Sequence, residues 1–257
     1  MPRCWASSLG GCDKSSGEHV FSNSIFKAGC SCPVLIEGVQ RVRQGYATRG
    51  AEKSNILCRH HNSMLSPLDE TIGNVARFQA EANEESFHGS LIIEGELLER
   101  WLLKTVVNVA AAGWLGQLKW VPSRDVVQAI FGLAPLPPRV GLYSVDGVCP
   151  DHRPSGGASF MPLFLSAPFG QLFAGAYVTV HGMPLLASLH DELAPRLEAG
   201  AVPALQNRFA AGLRHLYHPG AIVMSRQRGN PVFIGMSWGG LLRYADGTTA
   251  PFPQGGD

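Results

Sequence analysis

The stretch Leu57-Cys58-Arg59-His60-His61-Asn62, together with Cys4 and Cys12 near the N-terminus, decides the fold of the first part of this chain. Thiols and imidazoles are soft or borderline metal ligands, and here they recur in two short clusters. Cys58 and His61 are two residues apart, a gap that lets one turn of chain hold a zinc ion. Cys4 and Cys12 flank a Gly-Gly turn that can direct both sulfurs towards one ion. The pattern predicts a folded zinc site.

A second thiol pair, Cys30 and Cys32, is the main alternative source of zinc ligands. Only one residue separates these two thiols, so they reach the same ion awkwardly, and we interpret them as structural or spare. Five of the six cysteines lie within the first 58 residues. In a reducing compartment such clustering favours metal ligation over disulfide bonds.

The composition excludes a disordered chain and a polycation. The 257 residues are 45% hydrophobic and 16% charged, which allows an ordinary core, and the net charge is +1. Any contact with nucleic acid must therefore come from a local patch of cations. The predicted nucleic-acid contacts are Arg41, Arg43, Arg49, Lys53 and Arg59. A solvated face explains such a run of cations equally well.

Neither the N-terminal sequence nor the uncharged segment 154–190 predicts a membrane protein. The N-terminus lacks the charged-then-apolar pattern of a signal peptide, which predicts a cytoplasmic protein. Residues 154–190 contain no Asp, Glu, Lys or Arg, but prolines and glycines interrupt the segment before any apolar run reaches about 20 residues. We expect buried strands and turns there.

Local patterns divide the chain into two predicted domains, residues 1–85 and 90–250. Glu18-His19-Val20 begins a short strand, and a helix starts at Ser66, with Pro67 and Asp69 in its first turn, and continues to about Asn83. The polar stretch that follows this helix has few apolar anchors and marks the predicted boundary.

The second domain is predicted to combine helices with a mainly antiparallel sheet. Helical patterns cover residues 94–112 and 122–131, and a further helix, broken near Gly200 and Pro203, is predicted within residues 193–216. Short β-type runs without βαβ alternation occupy residues 140–145, 160–165, 172–180, 221–224 and 232–236. Substrate positioning, sensing and homo-oligomerisation are the roles that we consider for this domain.

The residues Glu18-His19-Val20, followed by residues 57–69 with Cys58, His61, Asn62 and Asp69, resemble the bacterial HNH endonucleases. The similarity is to the branch that reads Cys-x-x-Cys, Glu-His-Ile/Val, then Leu-Cys-x-x-Cys/His-Asn and a nearby Asp, and it covers the first quarter of the chain. The resemblance implies a ββα-metal, treble-clef module in which a structural zinc lies beside a second, catalytic divalent ion. The expected fold class is thus α+β, with this zinc-bound module before the antiparallel domain.

The resemblance also implies roles for single residues. The implied zinc ligands are Cys4, Cys12, Cys58 and His61, with His60 as the alternative fourth ligand. His19 would be the general base that takes a proton from the attacking water. Glu18 and Asn62 would hold a catalytic Mg²⁺ or Mn²⁺ against the scissile phosphate. Asp69 would be an added ligand of that ion, or only the acidic residue of a helix start.

Three functions follow from these observations. The first is a metal-dependent endonuclease of nucleic acid, with DNA favoured over RNA as substrate and with the second domain positioning or recognising nucleic acid or sensing a trigger. The second is a zinc-stabilised, non-catalytic module whose cations bind the phosphate backbone. The third is a sensor of small molecules or proteins, suggested by the weakly charged, β-rich C-terminal half.

Overall fold

A computed structural model of the chain describes residues 4–27, 34–36, 53–82, 87, 89–116, 120–145, 158–168, 170–206, 215–224, 232–239, 241–243 and 249–251. Its helices are α1 Asn23–Lys27, α2 Arg59–Met64, α3 Ser66–Ala82, α4 Gly95–Ala111, α5 Arg124–Ile130, α6 Ala194–Glu198 and α7 Pro203–Gln206. Its strands are β1 Ser15–His19, β2 Val34–Ile36, β3 Lys53–Cys58, β4 Leu91–Glu94, β5 Gly141–Val145, β6 Ala158–Ala167, β7 Gly170–Val180, β8 Met183–Ser188, β9 His215–Tyr217, β10 Ala221–Met224, β11 Val232–Trp238, β12 Leu241–Arg243 and β13 Thr249–Pro251. The mixed α+β prediction is confirmed.

The first strands form a two-stranded antiparallel sheet that leads directly into a helix. β1 pairs with β3, so that Ser16 lies opposite Leu57 and His19 lies opposite Lys53, with a register shift between the two pairs. β3 ends at Cys58, which is also the N-cap of α2. The Glu18-His19 pair lies in a strand, as expected, but β1 ends at this pair instead of beginning there. Helix α3 follows the predicted helix from Ser66.

The remaining strands form two larger sheets. One has the order β2-β6-β7-β8-β5-β9, and in the other β10, β11, β12 and β13 follow one another while β4 pairs with β11. The β2–β6 and β4–β11 pairs are parallel, and the other described pairs are antiparallel. The predicted antiparallel character of the sheets is therefore confirmed.

The uncharged stretch forms the strands β6, β7 and β8, which pair in sequence order. All six residues of β8 are buried, and most of β7 is buried as well. A strand covered on both faces must be apolar throughout, which explains the absence of charge in this segment. Within the part of the chain that the structure describes, no helix has the length and apolar character needed to cross a membrane.

Helix α4 lies at the centre of the hydrophobic core. It packs against α3 on one side and against β5, β8 and β11 on the others. Trp101, Leu102 and Val106 of α4 are fully buried in a cluster that also contains Ile72 of α3 and Leu185 of β8. Apolar residues from both sides of the predicted boundary thus share one core.

The segment 193–216 has the predicted helical break near Gly200 and Pro203, between α6 and α7, but its end differs from the prediction. α6 and α7 are short, and the segment's last residues form β9, which pairs antiparallel with β5. His215 of β9 is buried, and its Nδ1 lies 2.9 Å from the Leu197 carbonyl oxygen. Strand pairing and burial outweigh a weak helical pattern, because intrinsic propensity is small beside tertiary contacts.

Candidate metal centre

Four side chains meet where the segment before β1 approaches the start of α2. The ligand atoms of Cys4, Cys12, Cys58 and His61 all lie within 4.8 Å of one another. His61 Nδ1 lies 3.4 Å from the sulfur of Cys4, 3.6 Å from that of Cys12 and 3.1 Å from that of Cys58. Ligand atoms around a tetrahedral zinc ion are about 3.5–3.8 Å apart. The cluster therefore fits a single zinc ion with four protein ligands.

Local backbone geometry brings the two halves of the cluster together. The Trp5 N–H donates to the Ile56 carbonyl at 3.0 Å, which holds the N-terminal segment beside β3. Gly10 and Gly11 have φ angles of 79° and 66°, a left-handed conformation that suits glycine and turns the chain back to Cys12. The predicted Gly-Gly turn thus places both thiols on the same side of the cluster.

The second half of the cluster comes from the first turn of α2. The Cys58 sulfur caps this helix by accepting a hydrogen bond from the His61 N–H at 3.5 Å. The His61 imidazole also donates to the backbone carbonyl of Gly10. A hydrogen bond of this kind fixes the ring orientation of a metal-bound histidine.

The thiols differ in their readiness to ionise. Burial raises the pKa of Cys4, and hydrogen bonds oppose this effect only in part. Burial also raises the pKa of Cys12, where hydrogen bonds with Cys4 and Cys58 and the charges of these thiols raise it further. Burial also acts to raise the pKa of Cys58, but hydrogen bonds from the backbone N–H groups of His61 and Asp13 outweigh it and lower that pKa. Zinc binds thiolates, so its affinity should fall as the pH falls and the thiols regain protons.

His60, the alternative ligand, lies outside this cluster. Its side chain is exposed, and its ring is tilted against His61 with a centroid distance of 5.2 Å. The His60 N–H donates to Asp13 at 2.9 Å, so this residue anchors the start of α2 through its backbone. Cys30 and Cys32 lie outside the described residues.

The carboxylates predicted to hold a catalytic ion are instead paired with a lysine. Lys104 Nζ of α4 lies 2.8 Å from Glu18 Oε1 and 2.8 Å from Asp69 Oδ1. Glu18 and Lys104 are buried, whereas Asp69 retains 33% exposure of its side chain. The structure thus brings Glu18 and Asp69 together, around an ammonium group.

This cluster contains two carboxylates, of Glu18 and Asp69, but only one ammonium, of Lys104. Burial raises the pKa of Glu18, and the nearby Lys104 offsets this effect only in part. Burial would lower the pKa of Lys104, but the Glu18 and Asp69 carboxylates outweigh it and raise that pKa. Asp69 contributes to both shifts, because its carboxylate adds negative charge beside Glu18 and beside Lys104.

Asn62, the other predicted ligand of the catalytic ion, has a different partner. Its Nδ2 donates to Ser16 Oγ at 3.0 Å, which ties α2 to β1. His19 ends β1 with a half-buried side chain, and none of the described residues forms a hydrogen bond with its imidazole. Burial, followed by the Lys53 charge, holds the pKa of His19 below its ordinary value of 6.5.

The predicted nucleic-acid contacts are described only in part. Lys53 is exposed and lies opposite His19 in the β1–β3 pair. Arg59 is also exposed and forms an ion pair with Asp13, with 3.4 Å between Nε and Oδ2. Arg41, Arg43 and Arg49 lie outside the described residues. An exposed ion pair is weak, so the Arg59 charge remains accessible to a phosphate.

Sequence reasoning missed two buried polar residues of α4, Lys104 and Asn108. Asn108 Oδ1 accepts a hydrogen bond from Trp5 Nε1 at 2.9 Å, and its Nδ2 donates to the His19 carbonyl at 3.3 Å. A signal was present, because both residues interrupt the wide apolar face of a core helix. A polar residue on such a face needs a partner, but the sequence does not say which.

We expect Asn108→Ala to lower the free energy of unfolding by about 2–3 kcal/mol, because it leaves the buried Trp5 N–H and the His19 carbonyl without their partner. Urea unfolding followed by tryptophan fluorescence measures this loss. The matched control is Asn55→Ala on the exposed side of β3, with an expected change within about 0.5 kcal/mol. Equal effects of the two substitutions would contradict the role of Asn108.

No protein-family model, curated protein or solved structure matches this chain. The assignment of chemistry to the centre therefore depends on its own geometry and on the motif in the first quarter of the sequence.

Proposed function

We propose that this chain is a nuclease of the HNH type, which hydrolyses phosphodiester bonds of nucleic acid, with DNA favoured over RNA as substrate. The observation that carries the proposal is the β1–β3 pair, which leads into α2 and has a four-ligand cluster at the junction. A strand pair followed by a helix, with the proposed zinc ligands before the first strand and at the start of the helix, supports the proposal of a ββα, treble-clef module. Glu18 and His19 lie on β1 and Asn62 lies on α2, so these residues of the resemblance are on the same elements.

His19 is the residue proposed to act on the substrate. Its depressed pKa keeps the imidazole neutral at pH 7, and a neutral imidazole can accept a proton. Strand pairing with Lys53 and the hydrogen bond from Asn108 hold its backbone in place. Such preorganisation suits a general base, because the base must meet the attacking water in one orientation.

The reaction is a hydrolysis at phosphorus. The oxygen of a water molecule forms a bond to phosphorus while the bond to the leaving oxygen breaks. His19 takes a proton from that water, the leaving oxygen takes a proton from solvent, and the imidazolium then releases its proton to solvent. The exposed ammonium of Lys53, on the strand opposite His19, is placed to contact a phosphate oxygen of the substrate.

The two metals implied by the resemblance differ in how well the residues fit them. A zinc ion held by Cys4, Cys12, Cys58 and His61 has four protein ligands, as structural zinc sites do, and its role is to stabilise the module. A catalytic Mg²⁺ or Mn²⁺ does not fit Glu18 and Asp69, because both carboxylates are paired with Lys104. We assign no reaction step to a second ion.

We expect His19→Ala to lower the rate of DNA cleavage by about 10²–10⁴-fold, because it removes the proton acceptor. The measurement is nicking of supercoiled plasmid by zinc-loaded protein, with and without added Mg²⁺ or Mn²⁺. Zinc content and melting temperature should not change, since His19 lies outside the ligand cluster. The wild-type rate should fall at acid pH, through a pKa below 6.5, as His19 becomes protonated.

The matched control for this experiment is His60→Ala, because His60 is an exposed histidine of the same module. It should cleave DNA at the wild-type rate. If His19→Ala loses zinc and unfolds, the residue is structural and its assignment as a general base is wrong.

A non-catalytic, nucleic-acid-binding module is the second candidate function. The Lys104 pairing favours it, since the carboxylates proposed to hold the catalytic ion of an HNH nuclease are already paired with an ammonium. In that case wild-type protein would cleave neither DNA nor RNA, and His19→Ala would bind nucleic acid as tightly as wild type. Binding through phosphate contacts would weaken steeply as salt is added.

A further inference from the structure

The Lys104 ammonium lies among three carboxylate oxygens from two separate elements. Glu18 Oε1 on β1 is 2.8 Å from Nζ, and the Asp69 oxygens on α3 are 2.8 and 3.0 Å from it. The Lys104 side chain is only 1% exposed. Burial of a charge is costly unless it is paired, so this arrangement requires both carboxylates to face the ammonium.

Neighbouring donors hold these carboxylates in position. Ser22 Oγ donates to Asp69 Oδ1, and Trp101 Nε1 donates in turn to Ser22 Oγ at 2.8 Å. On the other side, Asn108 Nδ2 lies 3.5 Å from Glu18 Oε1. Donors directed at both acids stabilise their ionised forms.

A divalent cation would compete with Lys104 for the same oxygens. Mg²⁺ and Ca²⁺ need direct contacts with carboxylate oxygens at about 2.0–2.6 Å. These contacts would place the ion beside the ammonium, where like charges repel strongly at low dielectric constant. Only one of the two cations can occupy the space between Glu18 and Asp69.

We propose that Lys104 is the resident cation of this site, so that the folded chain binds no divalent ion at Glu18 and Asp69. The ammonium belongs to α4, which follows the four candidate zinc ligands in the sequence. It reaches Glu18 and Asp69 when α4 packs against α3. Folding alone thus brings the Lys104 ammonium to the two carboxylates, and no metal ion from solution is needed at this position. The proposal concerns metal binding and does not depend on nuclease activity.

The removal of Lys104 should convert the site into a divalent-ion site. Lys104→Ala frees both carboxylates and the space that the side chain occupied, and the partly exposed Asp69 leaves a route to solvent. We expect this variant to bind one Mn²⁺ per chain about 10–100-fold more tightly than wild type does. In Lys104→Ala/Asp69→Asn, this gain should disappear.

The test is a Mn²⁺ titration of zinc-loaded protein, in which the free Mn²⁺ is measured by electron paramagnetic resonance and folding by circular dichroism. Wild-type protein that binds one Mn²⁺, with an affinity that Glu18→Gln reduces, would overturn the proposal. So would a folded Lys104→Ala that gains no Mn²⁺ binding. If Lys104→Ala is unfolded without metal, refolding by Mn²⁺ supports the proposal, and failure to refold with Mn²⁺ contradicts it.

Discussion

Cys58→Ser is expected to bind less than about half an equivalent of zinc per chain and to unfold at a much lower temperature than wild type. Cys58 is fully buried, and its sulfur is the one closest to His61 Nδ1, at 3.1 Å. It also caps α2, so the substitution weakens the helix start together with the metal site. Metal analysis of protein purified without added zinc measures the first effect, and a thermal melt measures the second.

The large expected fall in melting temperature follows from the binding free energy of a structural zinc ion. In small zinc modules the ion contributes about 10–16 kcal/mol, which is comparable with the whole stability of a domain. Even a loss of about 5 kcal/mol lowers the melting temperature of a chain of this size by about 10–20 °C. Because Cys4 and Cys58 belong to the same hydrophobic core as α4, we expect the loss of zinc to destabilise the rest of the chain as well.

The adjacent histidines provide a matched control for the zinc site. His61→Ala should lose zinc as Cys58→Ser does, whereas His60→Ala should retain it, since only His61 belongs to the ligand cluster. Zinc loss in His60→Ala with retention in His61→Ala would show that the ligand assignment is wrong. Unchanged zinc content in Cys58→Ser would contradict the whole site.

The second large effect is expected for Lys104→Met, which keeps the length of the side chain but removes its charge. Removal of one partner from a buried ion pair costs about 3–5 kcal/mol, because the remaining charge is left unpaired in the core. Glu18, at 4% exposure, would be that charge. Urea unfolding of zinc-loaded wild type and variant gives the difference, and Lys53→Met, which removes an exposed cation of the same module, is the control.

The cost of Lys104→Met should depend on pH with a defined sign. Without the ammonium, burial raises the pKa of Glu18 further, so the folded variant binds a proton more tightly than the unfolded chain does. Such a group contributes stability at low pH and loses it as the pH rises through the folded-state pKa. The difference between wild type and Lys104→Met should therefore be smaller near about pH 5.5 than near about pH 7.5.

A second substitution tests whether Glu18 is the cause. Glu18→Gln in the Lys104→Met background removes the unpaired carboxylate, so part of the lost free energy of unfolding should return. No recovery, together with a cost independent of pH, would mean that Lys104 acts by packing alone.

The features that could be predicted from the sequence depend on neighbours within one turn or one strand. The two-residue gap between Cys58 and His61 and the Gly10–Gly11 turn were enough to identify both halves of the cluster. Ser66 and Pro67 marked the start of α3, and the alternation of short apolar runs with Gly and Pro turns indicated five strands of the larger sheets, β5, β6, β7, β10 and β11. These signals are local, because helical caps, turns and strand periodicity follow from the next few residues.

The tertiary structure alone decided which distant groups meet. Lys104 takes the place proposed for a divalent ion, Asn108 joins Trp5 to the end of β1, and the Phe131 ring packs against His61 at a centroid distance of 5.4 Å. The apolar pattern of α4 predicted a core helix. It did not predict how the helix is oriented in the core, and therefore which residues of the N-terminal region its polar side chains contact. Only the packing of α4 between α3 and the sheets determines the partner of each buried charge, because such a charge is stable only beside a complementary group.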